Sequence, residues 1–153
     1  MDDDLKQLLE HWNEMRKLTL DLLDELPPEH LSYSVGKNMG IIGKQYRHIG
    51  DVQICYVDAI KKSKIDFSKY KRDYSIENSK EKLKEFLIEI NKEMLNLIEE
   101  NSEVEIDWFG DTLNLKQHVQ ALIEHEILHQ GELIVYIRIL GLKFPKSWRL
   151  WGL

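Results

Sequence analysis

Along residues 5–26 the apolar positions Leu5, Leu8, Trp12, Met15, Thr19, Leu22 and Leu26 recur at intervals of three and four. Leu9, Leu18 and Leu23 widen the stripe. That spacing puts one continuous apolar face on an α-helix of about 3.6 residues per turn. Asp2, Asp3 and Asp4 suit the positive N-terminal end of its dipole, and Pro27-Pro28 stops it. A second helix is predicted over residues 39–62, with Ile41, Ile42, Gln45, His48, Ile49, Val52, Cys55, Tyr56, Ala59 and Ile60 facing inward. Residues 63–75 have no clear period and read as a loop. A third helix follows over 76–100, with Leu83, Leu87, Ile90, Met94 and Leu97 as its seam and Phe86 and Ile98 at its margins.

The pattern then changes. Over residues 104–113 apolar and acidic residues alternate until Gly110-Asp111 interrupts them, which predicts a small hairpin or an extended crossover. Asn114 with Gln117 three positions on forms a capping box that opens a fourth helix. Its stripe carries His118, Leu122, His125, His129, Glu132, Tyr136 and Ile139, and Gly141 is a fitting stop. Four long helices with modest connections make an all-α four-helix bundle. The aromatic tail with Trp148 and Trp151 is expected to dock on the bundle or on another subunit.

Size and composition narrow the class. A chain of 153 residues with 42% hydrophobic and 31% charged residues, three prolines and eight glycines reads as one helical domain over 1–153. A net charge of -6 argues against nucleic acid as a partner, since such a protein needs a basic face. The basic residues Lys61, Lys62 and Lys64, and those of 69–72, form only local patches in a solvated turn. The single cysteine, Cys55, lies in an apolar pattern and reads as an inert buried thiol. No signal peptide and no membrane-spanning run is visible, so a cytoplasmic protein is expected.

Candidate chemistry centres on His125 and His129. Four residues apart on a helix, their rings stack along one face and can share a divalent ion such as zinc, nickel or iron. His48, inward on the second helix, would complete a three-histidine site with open positions for water or substrate. Glu132, one turn past His129, is a carboxylate to orient a ring or to ligate. His118 lies about 10 Å upstream along the axis, too far to share the ion, and would line the cavity. Asp51 and Tyr136 are further candidates for the cavity or for a general base. Proton competition for the imidazoles predicts weaker metal binding below about pH 6.5.

Two other readings fit parts of this pattern. His125-Glu126-x-x-His129 is the zinc-peptidase string, with the glutamate as general base. Glu126, however, points about 100° away from His125, little of the chain reads as strand, and few residues follow for a third ligand. A metal-free helical dimerisation or interaction module, with the aromatic tail as its binding surface, is the remaining alternative.

The helix-two histidine, the hairpin-like crossover and the segment His118-Val119-x-x-Leu122-x-x-His125-x-x-x-His129-Gln130-Gly131-Glu132 together resemble the DinB family, which includes the YfiT-like metal-dependent hydrolases. The resemblance spans essentially the whole chain. It implies an up-up-down-down bundle, a divalent metal on His48, His125 and His129, and homodimers. It also implies a metal-dependent hydrolase or a thiol-dependent transferase acting on a small-molecule thiol or electrophile. Gln130 and Glu132 depart from the family's usual residues around the glycine, which bears on metal preference.

Overall fold

The computed structural model describes residues 2–68 and 70–153. Four long helices carry the fold: α1 (Asp3–Glu25), α2 (Ile42–Lys62), α3 (Lys80–Glu100) and α4 (Leu115–Leu140). Between α3 and α4 an antiparallel hairpin pairs β1 (Glu105–Trp108) with β2 (Asp111–Asn114), as the alternating stretch predicts. Short 3-10 turns occupy Pro28–Ser32, Tyr74–Ile76 and Lys146–Trp151.

Local chemistry explains the boundaries. The Asp2 carboxylate accepts from the Leu5 amide at 2.8 Å and caps α1. The Asn114–Gln117 capping box is present at the start of α4, and Gly141 closes it in a left-handed conformation at φ 66°. Two helices start later than their apolar patterns suggest. α2 begins at Ile42, whose amide is held by the Tyr33 carbonyl. α3 begins at Lys80 because Ser79 caps it, and Tyr74–Ile76 forms its own turn. On α3, Ile98 is fully buried and Leu97 only partly, so the seam shifts by one residue near its end. Ile139, placed on the inner stripe of α4, is instead 56% exposed.

The contacts fix the sense of each helix. Lys116 near the start of α4 meets Asp2 and Asp4 near the start of α1, and Glu126 meets Arg16 and Thr19, so α1 and α4 run parallel. Lys84 reaches Asp24 while Asn91 reaches Trp12, so α1 and α3 are antiparallel. Arg47 meets Glu77 and Lys61 meets Glu93, so α2 and α3 are parallel. The bundle is therefore up-down-down-up rather than up-up-down-down. The physical reason lies in the connections. Residues 26–41 and 63–79 are nearly equal in length, and either could return along a helix of 21 residues, about 31 Å. The first instead folds into the Pro28–Ser32 turn, with Tyr33 holding the Ile42 amide, and joins neighbouring ends, while the second returns along α2.

The core runs the length of the bundle and includes Trp12, Leu23, Ile42, Ile49, Leu83, Leu87 and Leu133, all essentially inaccessible. Gly50 lets α2 and α3 approach closely, since a Cβ there would run into the Phe86 ring. The C-terminal tail docks on its own bundle through Trp148, which is fully buried and donates from Nε1 to the Leu18 carbonyl at 2.9 Å. Trp151 stays 43% exposed. Among the described residues, no helix is long and apolar enough to cross a membrane. Of the basic patch at 69–72, Lys69 lies outside the described residues, and Tyr70, Lys71 and Arg72 sit on the connection between α2 and α3.

Candidate metal centre

Antiparallel packing of α2 against α4 brings His48 beside the stacked pair His125 and His129. Ring centroids lie 5.6 Å apart for His48 and His125, 4.8 Å for His48 and His129, and 4.4 Å for the pair. One ring nitrogen from each residue falls within 4.8 Å of the others. The Nε2 atoms of His125 and His129 are 3.1 Å apart. Two nitrogens bound at about 2.0–2.1 Å to one tetrahedral ion would be roughly 3.4 Å apart, so the pair is already close to ligating separation.

The rest of each ring fits the same use. Glu132 sits at 2.7 Å from His129 Nδ1, and a carboxylate only accepts, so Nδ1–H donates to it and Nε2 is left with a free lone pair. His125 Nδ1 is buried and has no partner among the described residues, which leaves it free to carry the proton when Nε2 turns to an ion. Burial pushes His48 down to about 4, with the neighbouring His129 and Arg47 adding to the effect. His125 is pushed down to about 3 by burial, then by His129 and His48. Both rings are neutral at neutral pH, as a ligand must be. Proton competition at these two residues therefore sets in well below the pH 6.5 expected from the free side chain.

The other sequence candidates have different employment. His118 is buried, accepts at Nδ1 from Trp108 Nε1–H at 3.0 Å, and places Nε2 3.0 Å from the Tyr56 carbonyl, where Nε2–H donates. It pins the hairpin to α2 and α4 and does not line an ion site. Asp51 is held by Arg47, which also pairs with Glu77. Its carboxyl is turned toward α3 and lines a cavity of about 350 Å³ with Lys71, Lys82 and Phe86. The hydroxyl of Tyr136 donates to the Gly40 carbonyl at 2.6 Å and ties the end of α4 to the entry of α2. Neither is placed as a base.

Glu126 is fully buried. Its carboxylate accepts from Arg16 Nη2 at 3.1 Å and from the Thr19 hydroxyl at 2.5 Å, so it faces α1 and not the histidines. Arg16 also donates to Gln53 at 2.8 Å, and Gln130 Nε2 donates to Thr19 and to the Met15 carbonyl. This polar layer behind the site has only a faint sequence signal: Arg16 and Thr19 lie along the apolar stripe that carries Trp12. Cys55 is buried, and burial raises its thiol to about 11, in keeping with an inert core residue.

A profile described as the DinB family matches residues 1–150. The chain belongs to the DinB family. A curated relative, the uncharacterized protein YjoA of Bacillus subtilis (strain 168), is 25% identical over 138 residues, covering 88% of this chain and 90% of YjoA. The crystal structure of YjoA, a DinB-like protein, superposes with a TM-score of 0.72 and 25% identity over 92% of this chain and 96% of that one. A DinB-like protein from Bacillus cereus gives a TM-score of 0.76 at 21% identity, over 92% of this chain and 95% of that one. The last match supports the fold of this DinB protein alone.

Proposed function

We propose that this DinB protein binds a divalent metal ion, zinc, nickel or iron, through His48, His125 and His129, and acts as a metal-dependent hydrolase or thiol-dependent transferase. The observation that carries the reading is the convergence of three imidazole nitrogens from two helices, within 4.8 Å of one another. Three protein ligands leave positions open for an exchangeable group, the pattern of catalytic and not structural sites. When bound, such an ion supplies Lewis acidity that favours the deprotonated form of a water or thiol nucleophile. The chain's own contribution is positioning. Glu132 holds the His129 ring, the rigid α4 backbone sets the pair, and partial burial keeps His48 and His125 neutral.

A peptidase on His125, Glu126 and His129 is disfavoured, because Arg16 and Thr19 occupy the carboxylate that would serve as base. The proposal extends to a cytoplasmic homodimer. Its support is the exposed apolar outer face of α4, with Leu128 at 62% and Val135 at 45%. Light scattering in solution tests that assembly.

Elemental analysis of protein purified without a histidine tag tests the metal reading. Near-stoichiometric metal, lost in each of His48→Ala, His125→Ala and His129→Ala, is the expected outcome. Protein that takes up no zinc or nickel at neutral pH would be a metal-free interaction module instead.

A further inference from the structure

The polar layer behind the histidines ties together the two helices that carry them. Glu126 and Gln130 directly follow His125 and His129 in the chain, so they form a second stripe on α4, about 100° around from the rings. Both are buried against α1. Glu126 accepts from the Thr19 hydroxyl at 2.5 Å and from Arg16 Nη2 at 3.1 Å, and Gln130 Nε2 donates to Thr19 and to the Met15 carbonyl. The same Nη2 of Arg16 donates to Gln53 Oε1 at 2.8 Å. Gln53 is on α2, five residues beyond His48. One nitrogen from α1 therefore holds α4 beside His125 and α2 a little more than a turn from His48. The guanidinium is itself fixed, 4.9 Å from the centre of the Trp12 ring, whose Nε1–H donates to Asn91 on α3 at 2.6 Å.

Fold stability alone gives little reason for this arrangement. Arg16 is 2% exposed and Glu126 fully buried, and taking both charges out of water offsets most of their attraction. Nε and Nη1 of Arg16 have no hydrogen-bond partner among the described residues. Apolar side chains of similar volume commonly replace such a pair without loss of stability. What they do not supply is direction. Apolar burial tolerates a small rotation of a helix about its axis, whereas a carboxylate held by two donors does not. That rotation matters at the histidines. Side-chain ends lie roughly 5–6 Å from the axis, so a roll of about 20° moves them by about 2 Å, the length of a metal–nitrogen bond.

We infer that Arg16 and Glu126 are positioning residues for the metal centre: their ion pair, with Thr19 and Gln53, sets the roll of α4 and its spacing from α2 so that His125 and His129 meet His48. This rests on the metal-binding reading above, and it gives the glutamate of the His-Glu-x-x-His string the role of an anchor in place of a base.

Cobalt(II) added to protein purified without a histidine tag reports affinity and geometry through its ligand-field bands. Arg16→Met/Glu126→Met removes both charges at similar volume. It is expected to keep the urea midpoint of the metal-free protein while weakening cobalt binding about tenfold or more, with shifted bands. Thr19→Val removes one bond to Glu126 and leaves the ion pair in place, and should weaken cobalt binding about threefold, the worth of one hydrogen bond. Unchanged cobalt affinity and bands in the folded double variant overturn the inference. If circular dichroism shows the double variant unfolded, the same result in Thr19→Val overturns it. So does an equal loss of affinity in Ile98→Val, a buried residue near the end of α3 outside the network, because destabilisation alone would then explain the effect. If the unaltered protein gives no cobalt bands, the metal-binding reading falls and takes this inference with it. If the bands appear and these variants leave them intact, only this inference falls.

Discussion

His118 and His125 stand two turns apart on one face of α4, and both are buried enough to be pushed far below the ordinary imidazole range, to about 4 and about 3. They nevertheless do different things. His118 has a partner at each ring nitrogen, a tryptophan N–H on one side and a backbone carbonyl on the other. His125 has one nitrogen facing His129 and the other with no partner among the described residues. A depressed pKa reports burial, and both residues share it. What separates a structural histidine from a ligand is whether its nitrogens are already satisfied.

The sharpest way to break this contrast is to remove each ring in turn. His125→Ala and His129→Ala should cost more in metal affinity than the roughly 10–100-fold typical of a supporting residue. His118→Ala should leave metal stoichiometry unchanged. If His118→Ala also empties the site, the two histidines are not distinct in the way their hydrogen bonds imply.

Stability should show the reverse order. Losing His118 leaves the Trp108 N–H and the Tyr56 carbonyl without their partner and opens space under the hairpin. A loss of about 2–4 kcal/mol in urea unfolding of the metal-free protein is expected. His125→Ala, which removes a ring with one nitrogen unpartnered among the described residues and the other bonded only to His129, should cost less. Equal losses would mean that packing and not hydrogen bonding sets the cost.

Acid provides a test that leaves the sequence intact. The neutral form of His118 is favoured in the fold, with a folded value of about 4 against about 6.5 in an unfolded chain. Between these values the unfolded chain binds more protons, so stability rises with pH across that window. The contribution is complete above about pH 6.5 and is lost as the pH falls toward 4. Denaturant midpoints of the metal-free protein should be level above pH 7 and fall through that window, less steeply in His118→Phe. A midpoint independent of pH from 7 to 4 would contradict the burial of neutral imidazoles.

The smallest effect concerns Glu132. Glu132→Ala frees the His129 ring to turn, and metal affinity should drop by about tenfold, measurable by competition with a chromophoric chelator. Glu132→Gln, whose amide oxygen still accepts from Nδ1–H, should recover part of that loss. No change in either variant would remove Glu132 from the site.

Much of the molecule is legible in its sequence. The spacing of apolar residues from Leu5 to Leu26, the alternation ahead of Gly110, the Asn114–Gln117 box and the glycine at 141 each act over a few residues, and each produces the element it predicts. The His125 and His129 pair is equally plain, because helical rise alone stacks them. Glu126 is readable only as turned away from that pair, and its burial against Arg16 depends on where α1 lies. Asp51 and Tyr136 fall on plausible faces. Asp51 is engaged by Arg47 four residues earlier on the same helix, a pair the spacing itself allows, whereas Tyr136 is engaged by Gly40, far away in the chain.

The chain's own periodicities determined four amphipathic helices, a hairpin and a pair of rings on one face, since those follow from local backbone geometry and side-chain polarity. Tertiary structure alone decided that α2 runs against α4, so that His48 meets the pair, and that α2 runs with α3, because a long connection permits either sense. It also decided which buried polar atoms found partners. Local pattern cannot decide that, because the cost of an unpaired group depends on neighbours tens of residues away.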